Sequence, residues 1–465
     1  MRQVFALAFL LLARLPAAAQ PVIPDTPMGK ALSDYLDAFN SGDAGRIEAF
    51  NNAYHFDMKP ADQLGFYRQS GGFAFKKVEN SDATSINALV QEKDSDAILR
   101  LSMRQAATPE APKLSIQLGD IPRPAEYAIP RLAQADAIKA LDARAAQLAA
   151  QDKLSGAMLI ARKGKIIYSH TWGLADRASK TPVTLNTKFR LGSDNKMFTA
   201  VAVLQLVAAG KISLDGKVGD YLPDYPNKEA AEKVTVRMLL SHSGGTGDFF
   251  GPEFEKNRLK LKHNEDYVAL FGNKAPVFEP GTKERYSNFG FVILGSIVQH
   301  VSGEDYYDYV RRHIFETAGM TDSGSLPENE AVRGRATGYM WKDGAWTPNT
   351  DTLPWRGMAA GGGYASARDL LKFAQTLESG KLLPIALKDQ ATHFQTKGKW
   401  YGFGFAINGE SGPEHWYGHG GGAPGMNADL RVFPGSGTVI VTLANVDPTV
   451  ANRLAEFYLN RMPVD

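Results

Sequence analysis

Hydrophobic residues recur at helical spacing near the beginning of the chain, and strand-like segments follow. Five hydrophobic residues share one helical face, and Asp43 stands where it can cap a second helix. These five residues are Met28, Leu32, Tyr35, Leu36 and Phe39. Strands are predicted over residues 73–79, 84–91, 97–104 and 113–118. Because helices are followed by a run of strands, residues 27–119 are predicted to form a small α+β domain.

A second, larger domain is predicted after a proline-rich stretch. Residues 120–130 contain Pro122, Pro124 and Pro130, which indicates a semi-rigid linker. Beyond it, apolar residues from 138 to 148 fit an amphipathic helix, and Lys163-Gly164 turns a predicted hairpin. Two more strands are predicted over residues 429–433 and 438–445. Strands at both ends of residues 131–465, with helices between them, predict one α/β-type domain whose sheet collects both ends.

Residues 1–19 have the pattern of a secretory signal peptide. A basic Arg2 precedes an apolar stretch from residue 4 to residue 13, and Ala17-Ala18-Ala19 offers a small-residue cleavage site before Gln20. We therefore expect an exported protein, periplasmic or secreted. No later segment approaches the roughly 20 apolar residues that a membrane-spanning helix needs, so no span is expected after cleavage.

Composition and charge exclude several classes of protein. The 465 residues include no Cys, which excludes disulfide scaffolds, thiolate metal sites and cysteine nucleophiles. The formal net charge of +2 comes from Arg2 and Arg14, so the remaining chain is neutral and lacks the basic footprint of a nucleic-acid-binding protein. The histidines show no metal-ligand spacing. We therefore predict no metal and no cofactor, and the sequence leaves the oligomeric state open.

One S-x-x-K sequence, Ser193-Asp-Asn-Lys196, occurs in the chain. Hydrophobic residues at helical spacing follow it, so Ser193 is predicted at the start of a helix with Lys196 one turn on, on the same face. A serine hydroxyl needs a base to become a nucleophile, and a desolvated lysine with a lowered pKa can serve. Amides at the helix start would favour developing negative charge. The alternative is a capping serine beside a solvated lysine.

Two further groups have residue types suited to the same chemistry. Tyr286-Ser-Asn288 lies in a predicted turn entering a helix, where a phenol beside an ammonium can relay protons and an Asn can bind a substrate carbonyl. His419-Gly-Gly421 precedes the C-terminal strands, where small residues let a substrate approach a strand edge and His419 offers a hydrogen bond. The alternative for this third group is a glycine-rich turn with an incidental histidine.

In this order, the three groups resemble the motifs of the penicillin-recognising serine hydrolases. The closest branch resembles class C β-lactamases, D-alanyl peptidases, D-aminopeptidases and β-lactamase-fold esterases. Segments between the motifs are similar too, over residues 189–192, 234–245, 319–322 and 361–370. The resemblance covers residues 131–462 and implies an α/β fold with an antiparallel sheet flanked by helices, plus an all-helical subdomain. Residues 38–43 and the order of elements in the small domain resemble the NTF2-like fold.

The resemblance also implies a role for each motif residue. Ser193 is expected to be the nucleophile that becomes acylated, with Lys196 and Tyr286 as a proton-transfer pair whose immediate base stays open. Asn288, with His419 and Gly421 of the third motif, is expected to bind the substrate. The oxyanion hole would use the backbone N–H groups of Ser193 and Gly422. In a branch that resembles class C enzymes, Tyr286 would also activate the deacylating water.

The third motif departs from that of β-lactamases and D,D-peptidases. Those enzymes usually have Lys-Thr-Gly or Lys-Ser-Gly, whose cation and hydroxyl help to bind a substrate carboxylate. His419-Gly-Gly421 offers neither a permanent charge nor a hydroxyl. We therefore expect an esterase or D-aminopeptidase-like enzyme rather than an efficient β-lactamase, acting on a small molecule or peptide. The alternative is a penicillin-binding sensor or a non-catalytic scaffold that acylates without turnover.

Overall fold

The computed structural model describes residues 22–106 and 113–463, so the predicted signal peptide lies outside the described residues. The chain divides into two compact units between Glu126 and Tyr127. Among the helices of these described ranges, none combines the length and the hydrophobicity that crossing a bilayer requires.

The first unit contains three helices and a four-stranded antiparallel sheet. The elements are α1 (Pro27–Ser41), α2 (Ala44–Tyr54), α3 (Pro60–Ser70), β1 (Phe73–Ser81), β2 (Ser85–Glu92), β3 (Ile98–Ala106) and β4 (Lys113–Asp120). The strands follow each other in the order β1-β2-β3-β4. The hydrophobic face predicted for α1 is buried, and the Asp43 side chain caps α2 by accepting from the N–H of Arg46 at 2.8 Å. Helix α3 was not predicted, and the NTF2-like resemblance stays a prediction.

The second unit is larger and mixes helices with antiparallel strands. Its helices are α4 (Gln134–Ala150), α5 (Asn195–Ala208), α6 (Val218–Tyr221), α7 (Lys228–Lys233), α8 (Val236–Leu240), α9 (Pro252–Asn257), α10 (Asn264–Phe271), α11 (Asn288–Ser302), α12 (Tyr306–Val310), α13 (Ala367–Glu378), α14 (Ile385–Ala391) and α15 (Val450–Leu459). Its strands are β5 (Gly156–Arg162), β6 (Lys165–Trp172), β7 (Leu174–Asp176), β8 (Thr181–Pro182), β9 (Phe189–Arg190), β10 (Tyr339–Lys342), β11 (Ala345–Pro348), β12 (Tyr364–Ala365), β13 (Ala406–Asn408), β14 (Trp416–Ala423), β15 (Met426–Phe433) and β16 (Thr438–Ala444).

The main sheet of this unit has the order β13-β14-β15-β16-β5-β6, and neighbouring strands are antiparallel. Strand β16 pairs with β5, so the two ends of the unit meet in one sheet, as predicted. Alternate residues of β5 pack on opposite faces: Leu159 joins the helical core, whereas Met158 and Ile160 pack with α4 and α15. Because both faces are covered by helices, β5 is apolar along nearly its whole length.

Helix α5 runs through the core behind the sheet edge. Every residue from Asn195 to Leu204 is buried, so the helix is enclosed on all sides rather than on one face. It contacts α11 and β14, the elements that carry the second and third sequence motifs. The packing of this one helix therefore brings together three segments that are far apart in the sequence.

Candidate active site

Ser193 lies on a short 3-10 turn, Gly192–Asp194, that leads into α5. Gly192 has φ +54, and a Cβ on it would lie 2.8 Å from the backbone nitrogen of Gly422, so both the conformation and the space require glycine. A cavity of about 470 Å³ opens beside this turn. Ser193, Tyr286, Asn288 and Gly422 all line it, so four of the residues predicted from the motifs share one cavity.

Lys196 is completely buried, and its amine has three neighbours. Nζ lies 3.1 Å from Ser193 Oγ, 2.8 Å from Asn288 Oδ1 and 2.5 Å from the carbonyl oxygen of Ala360. Burial lowers the pKa of Lys196 from 10.5 to about 7, although nearby Asp248 and Asp194 oppose this change. A neutral amine has two hydrogens and one lone pair. Because the amide and carbonyl oxygens can only accept, they take both hydrogens, and the lone pair is left for the Ser193 hydroxyl.

Asp248 determines which way the Asn288 amide points. Asn288 Nδ2 donates to Asp248 Oδ2 at 2.8 Å. Since a carboxylate can only accept, the amide oxygen must face the other way, toward Lys196. Asp248 lies on the loop before α9 and belongs to none of the sequence motifs. The sequence offered no signal for it, because it lies 40 residues from Asn288.

Three side chains of α5 bind three consecutive carbonyl groups in the segment 358–360. Asn195 Nδ2 donates to the carbonyl of Met358 at 2.8 Å, and Thr199 Oγ1 donates to that of Ala359 at 2.7 Å. Lys196 binds the third carbonyl, that of Ala360. Asn195 and Thr199 therefore hold in place the backbone that accepts from Lys196. The glycine-rich run from residue 361 to residue 363 marks this segment in the sequence, but its role could not be derived there.

The Tyr286 ring lies over the lysine, and the residue as a whole is 37% exposed. Lys196 Nζ is 4.8 Å from the centre of this ring. Desolvation raises the pKa of the Tyr286 hydroxyl well above 10, and a hydrogen bond with Ser193 opposes the rise. Tyr286 also lines the cavity. Because its pKa is raised, the phenol stays protonated at neutral pH.

His242 packs against the ring of Tyr286. The sequence analysis did not identify it as a site residue. Its ring centre lies 4.4 Å from that of Tyr286, and its Nδ1 accepts from the backbone N–H of Ser287 at 3.1 Å. Burial lowers the pKa of His242 well below 6.5, and the charge of nearby Lys196 acts in the same direction. A neutral His242 therefore packs under Tyr286 and fixes the backbone that precedes Asn288.

The third motif lies along β14, behind the cavity wall. His419 Nδ1 donates to the carbonyl of Gly420 at 2.7 Å, and the hydroxyl of Tyr401 donates to Nε2 at 2.9 Å. Burial lowers the pKa of His419 to about 3, so the ring is neutral. A Cβ on Gly421 would lie 1.7 Å from the carbonyl oxygen of Leu191, so glycine is needed for close packing. Neither His419 nor Gly421 lines the cavity, and their contact with substrate stays a prediction.

The backbone N–H of Gly422 points out of the sheet edge. A two-residue turn, Pro424-Gly425, joins β14 to β15, and Gly422 lies one position beyond the pair that flanks this turn. Because hydrogen-bonded and non-hydrogen-bonded pairs alternate in a hairpin, the backbone groups of Gly422 point away from β15. A Cβ on Gly421 would lie 3.0 Å from the nitrogen of Ser193. The amides of Ser193 and Gly422 therefore lie near each other beside the Ser193 side chain.

Asp194 directly follows Ser193 and is completely buried. Neither of its carboxyl oxygens has a hydrogen-bond partner within the described residues. Desolvation and the charge of Asp429 raise its pKa well above 3.8, although Lys196 opposes this. Among residues 22–106 and 113–463, no three His, Asp or Glu side chains converge as metal ligands.

Comparison with known proteins assigns this arrangement to a family. The family described as Beta-lactamase matches residues 141–461. This chain belongs to the beta-lactamase family. The matched residues include all three motifs, and the α/β fold predicted from them is confirmed. The chain is accordingly a serine hydrolase of the beta-lactamase and penicillin-binding-protein type.

The relatives that match this chain include penicillin-binding proteins and an esterase. Penicillin-binding protein 4 of Amycolatopsis lactamdurans is 32% identical over 59% of this chain and 76% of its own length. Esterase EstB of Burkholderia gladioli is 31% identical over 57% of this chain and 78% of its own. The crystal structure of a penicillin binding protein from Bacillus halodurans superposes with a TM-score of 0.61 at 31% identity, covering 67% of this chain and 98% of that one.

Proposed function

We propose that this beta-lactamase-family chain is an exported hydrolase that cleaves an ester or amide through a covalent acyl group on Ser193. The proposal depends on how the amine of Lys196 is surrounded. The amine is enclosed, its pKa is about 7, and two acceptors hold its hydrogens so that the lone pair faces Ser193 Oγ at 3.1 Å. A lysine so arranged is a general base at neutral pH.

In the proposed acylation, Lys196 takes the Ser193 proton as Oγ attacks the substrate carbonyl carbon. The amides of Ser193 and Gly422 stabilise the negative charge that develops on the carbonyl oxygen. The bond to the leaving alcohol or amine then breaks, and the proton passes from Lys196 to the leaving group through the Tyr286 hydroxyl. Since the pKa of Tyr286 is raised, the phenol serves as a relay rather than as the first base. Water, activated by the same pair, releases the acid and restores Ser193.

We infer that esters and amides are better substrates than β-lactams. His419 is neutral and hydrogen-bonded on both ring nitrogens, so the third motif supplies no cation for a substrate carboxylate. One relative is named an esterase and another a penicillin-binding protein, which agrees with acyl transfer to serine as the shared chemistry. D-amino-acid amides and carboxylic esters are both within this substrate class.

Intact-mass spectrometry during turnover tests the proposal. With a p-nitrophenyl ester, the enzyme should gain the mass of the acyl group and then lose it as the acid is released. Ser193→Ala should form no adduct, and an adduct on this variant would show that the nucleophile is wrong. A permanent adduct with penicillin, without turnover of any ester or amide, would favour the alternative of a sensor.

Export is proposed from residues 1–19 alone, through Arg2, the apolar stretch after it and Ala17-Ala18-Ala19. The full chain, expressed in a Gram-negative host, should be recovered from the periplasm or medium with Gln20 as its first residue. Recovery of the uncleaved chain in the cytosol would contradict the proposal.

A further inference from the structure

The cavity beside Ser193 is lined by seven large apolar side chains in addition to the polar residues of the motifs. We call this apolar lining the acyl pocket. It is formed by Phe249, Phe250, Phe254, Leu353, Pro354, Met358 and Met426. The cavity holds about 470 Å³, which is within the range of sites that bind small organic molecules. The catalytic serine and this lining therefore share one space.

Three phenylalanines form the aromatic side of the acyl pocket. The ring centre of Phe249 lies 4.5 Å from that of Phe250 and 5.3 Å from that of Phe254, and Phe250 meets Phe254 edge to face at 5.2 Å. Phe249 and Phe254 are almost fully buried, whereas Phe250 is 59% exposed. An exposed ring supported by two buried ones is held in position and still has apolar surface to bury against a ligand.

Arg258 links the segment with Leu353 and Pro354 to the end of α9 through hydrogen bonds. Its guanidinium donates to the carbonyls of Asp351 and Leu353, and its own carbonyl accepts from the N–H of Trp355 at 3.1 Å. The segment that carries Leu353 and Pro354 is therefore fastened to the end of α9, which carries Phe254. The pocket is held in shape by these contacts before any substrate arrives.

The charges around the cavity disfavour an acidic substrate. No Lys, Arg or His is among the described residues that line it. Its lining carboxylate is Glu255, and the guanidinium of Arg258, 3.6 Å from that carboxylate, does not itself line the cavity. Lys196 lies behind Ser193 with its amine enclosed by three partners. A carboxylate on the acyl group would lose its hydration here, and no lining cation would compensate, because the nearby Arg258 is already paired with Glu255.

We infer that the acyl pocket selects an uncharged, apolar acyl group of medium length, alkyl or aryl, and rejects an acyl group that carries a carboxylate. This inference rests on the proposed function, because it assigns the acyl part of the substrate to the same cavity. Each added methylene that enters the pocket should raise kcat/KM about fourfold until the pocket is filled.

The test compares kcat/KM for p-nitrophenyl acetate, butyrate, hexanoate and octanoate, and for the mono-p-nitrophenyl ester of adipic acid. The adipate has the same six-carbon acyl chain as the hexanoate but ends in a carboxylate. We expect hexanoate to exceed acetate by more than tenfold and adipate to fall at least tenfold below hexanoate. Methylating the free carboxylate of the adipate should restore most of the loss, because this removes the charge and keeps the chain.

Two variants at Phe250 link the preference to the pocket. Phe250→Ala should lower the hexanoate-to-acetate ratio severalfold, and Phe250→Lys should raise adipate relative to hexanoate by supplying the missing cation. Both changes are at an exposed position, so folding should be retained. The matched control is Ile385→Ala, since Ile385 is 50% exposed on α14 and does not line the cavity. This control should keep the wild-type ratios.

Labelling Ser193 with a fluorophosphonate separates failure of this inference from failure of the proposed function. If Ser193 is labelled but the ester series is flat, or adipate equals hexanoate, the inference is overturned and the hydrolase remains. If esters acylate the enzyme without turnover, acylation rates measured by intact mass give the same comparison. If Ser193 is not labelled and no ester reacts, the proposed function fails, and the inference fails with it.

Discussion

Lowering the pH below 7 is expected to slow acylation about tenfold per pH unit, because protonation of Lys196 removes the base that we propose. Burial lowers its pKa from 10.5 to about 7, which disfavours the ammonium by roughly 5 kcal/mol. At pH 7 about half of the enzyme then has a neutral amine, on the order of a thousandfold more than an ordinary lysine would provide. Between pH 8 and pH 5 the neutral fraction falls from about 90% to about 1%.

The assay is kcat/KM for a neutral p-nitrophenyl ester between pH 5 and pH 9, since this quantity reports ionisations of the free enzyme. His419, with a pKa of about 3, stays neutral across this range, and the Tyr286 phenol stays protonated because its pKa is raised. Burial also lowers the pKa of His242 well below 6.5, away from the break expected near pH 7. The curve should rise with unit slope and level off near pH 7. A flat profile, or a break near pH 10, would refute the reasoning.

Asp194 and Asp248 both raise the pKa of Lys196, so removing either charge should move the break to lower pH. Asp248→Asn keeps an acceptor for the Asn288 amide while it removes the charge, which makes it the sharper variant. The control is Asp343→Asn, on an exposed turn between β10 and β11. A break that stays in place in Asp248→Asn, or that moves equally in Asp343→Asn, would contradict the electrostatic argument.

Two further predictions concern packing around the site. Gly421→Ala should abolish activity and lower the free energy of unfolding by about 2 kcal/mol or more, because the new Cβ would clash with the backbone of Leu191. Thermal melting measures this loss. The control is Gly65→Ala on α3, where a Cβ meets nothing, and this variant should be neutral or stabilised by about 0.5–1 kcal/mol. The pKa of Asp194 is raised in the folded protein, so the folded state is favoured when this carboxyl is protonated. The stability is therefore greatest below pH 3.8, and it falls as the pH rises toward the pKa of Asp194 in the folded state. Asp194→Asn should therefore gain in melting temperature relative to wild type between pH 4 and pH 8, and a constant difference would contradict this.

The local features of the site could be predicted from the sequence. Ser193 and Lys196 are one helical turn apart, and a helix places such residues on the same face whatever surrounds it. The helical face of α1, the cap at Asp43 and the hairpin at Lys163-Gly164 depend on neighbouring residues in the same way. Helix α3 was missed because its pattern of buried positions is weak, with Gln63 and Ser70 as its buried residues.

Contacts between distant segments could not be predicted from the sequence. Asp248 reaches Asn288 across 40 positions, and Ala360 reaches Lys196 across 164. His419 has a residue type suited to a substrate contact, but the alternation along β14 and the hydroxyl of Tyr401 place it behind the cavity. No local pattern encodes these neighbours, because they depend on how the sheet and helices pack.

The sequence by itself predicted which residues carry the reaction and gave their order along the chain, because the spacing of serine and lysine on a helix is a local property. Only the tertiary structure decided that the pKa of Lys196 lies near 7, which is what the proposed role as a base requires. Its pKa depends on complete burial and on the charges of Asp194 and Asp248, and a sequence cannot show how much water surrounds a side chain. The acyl pocket beside Ser193 also depends on the tertiary structure, because its residues come from three separate segments of the chain.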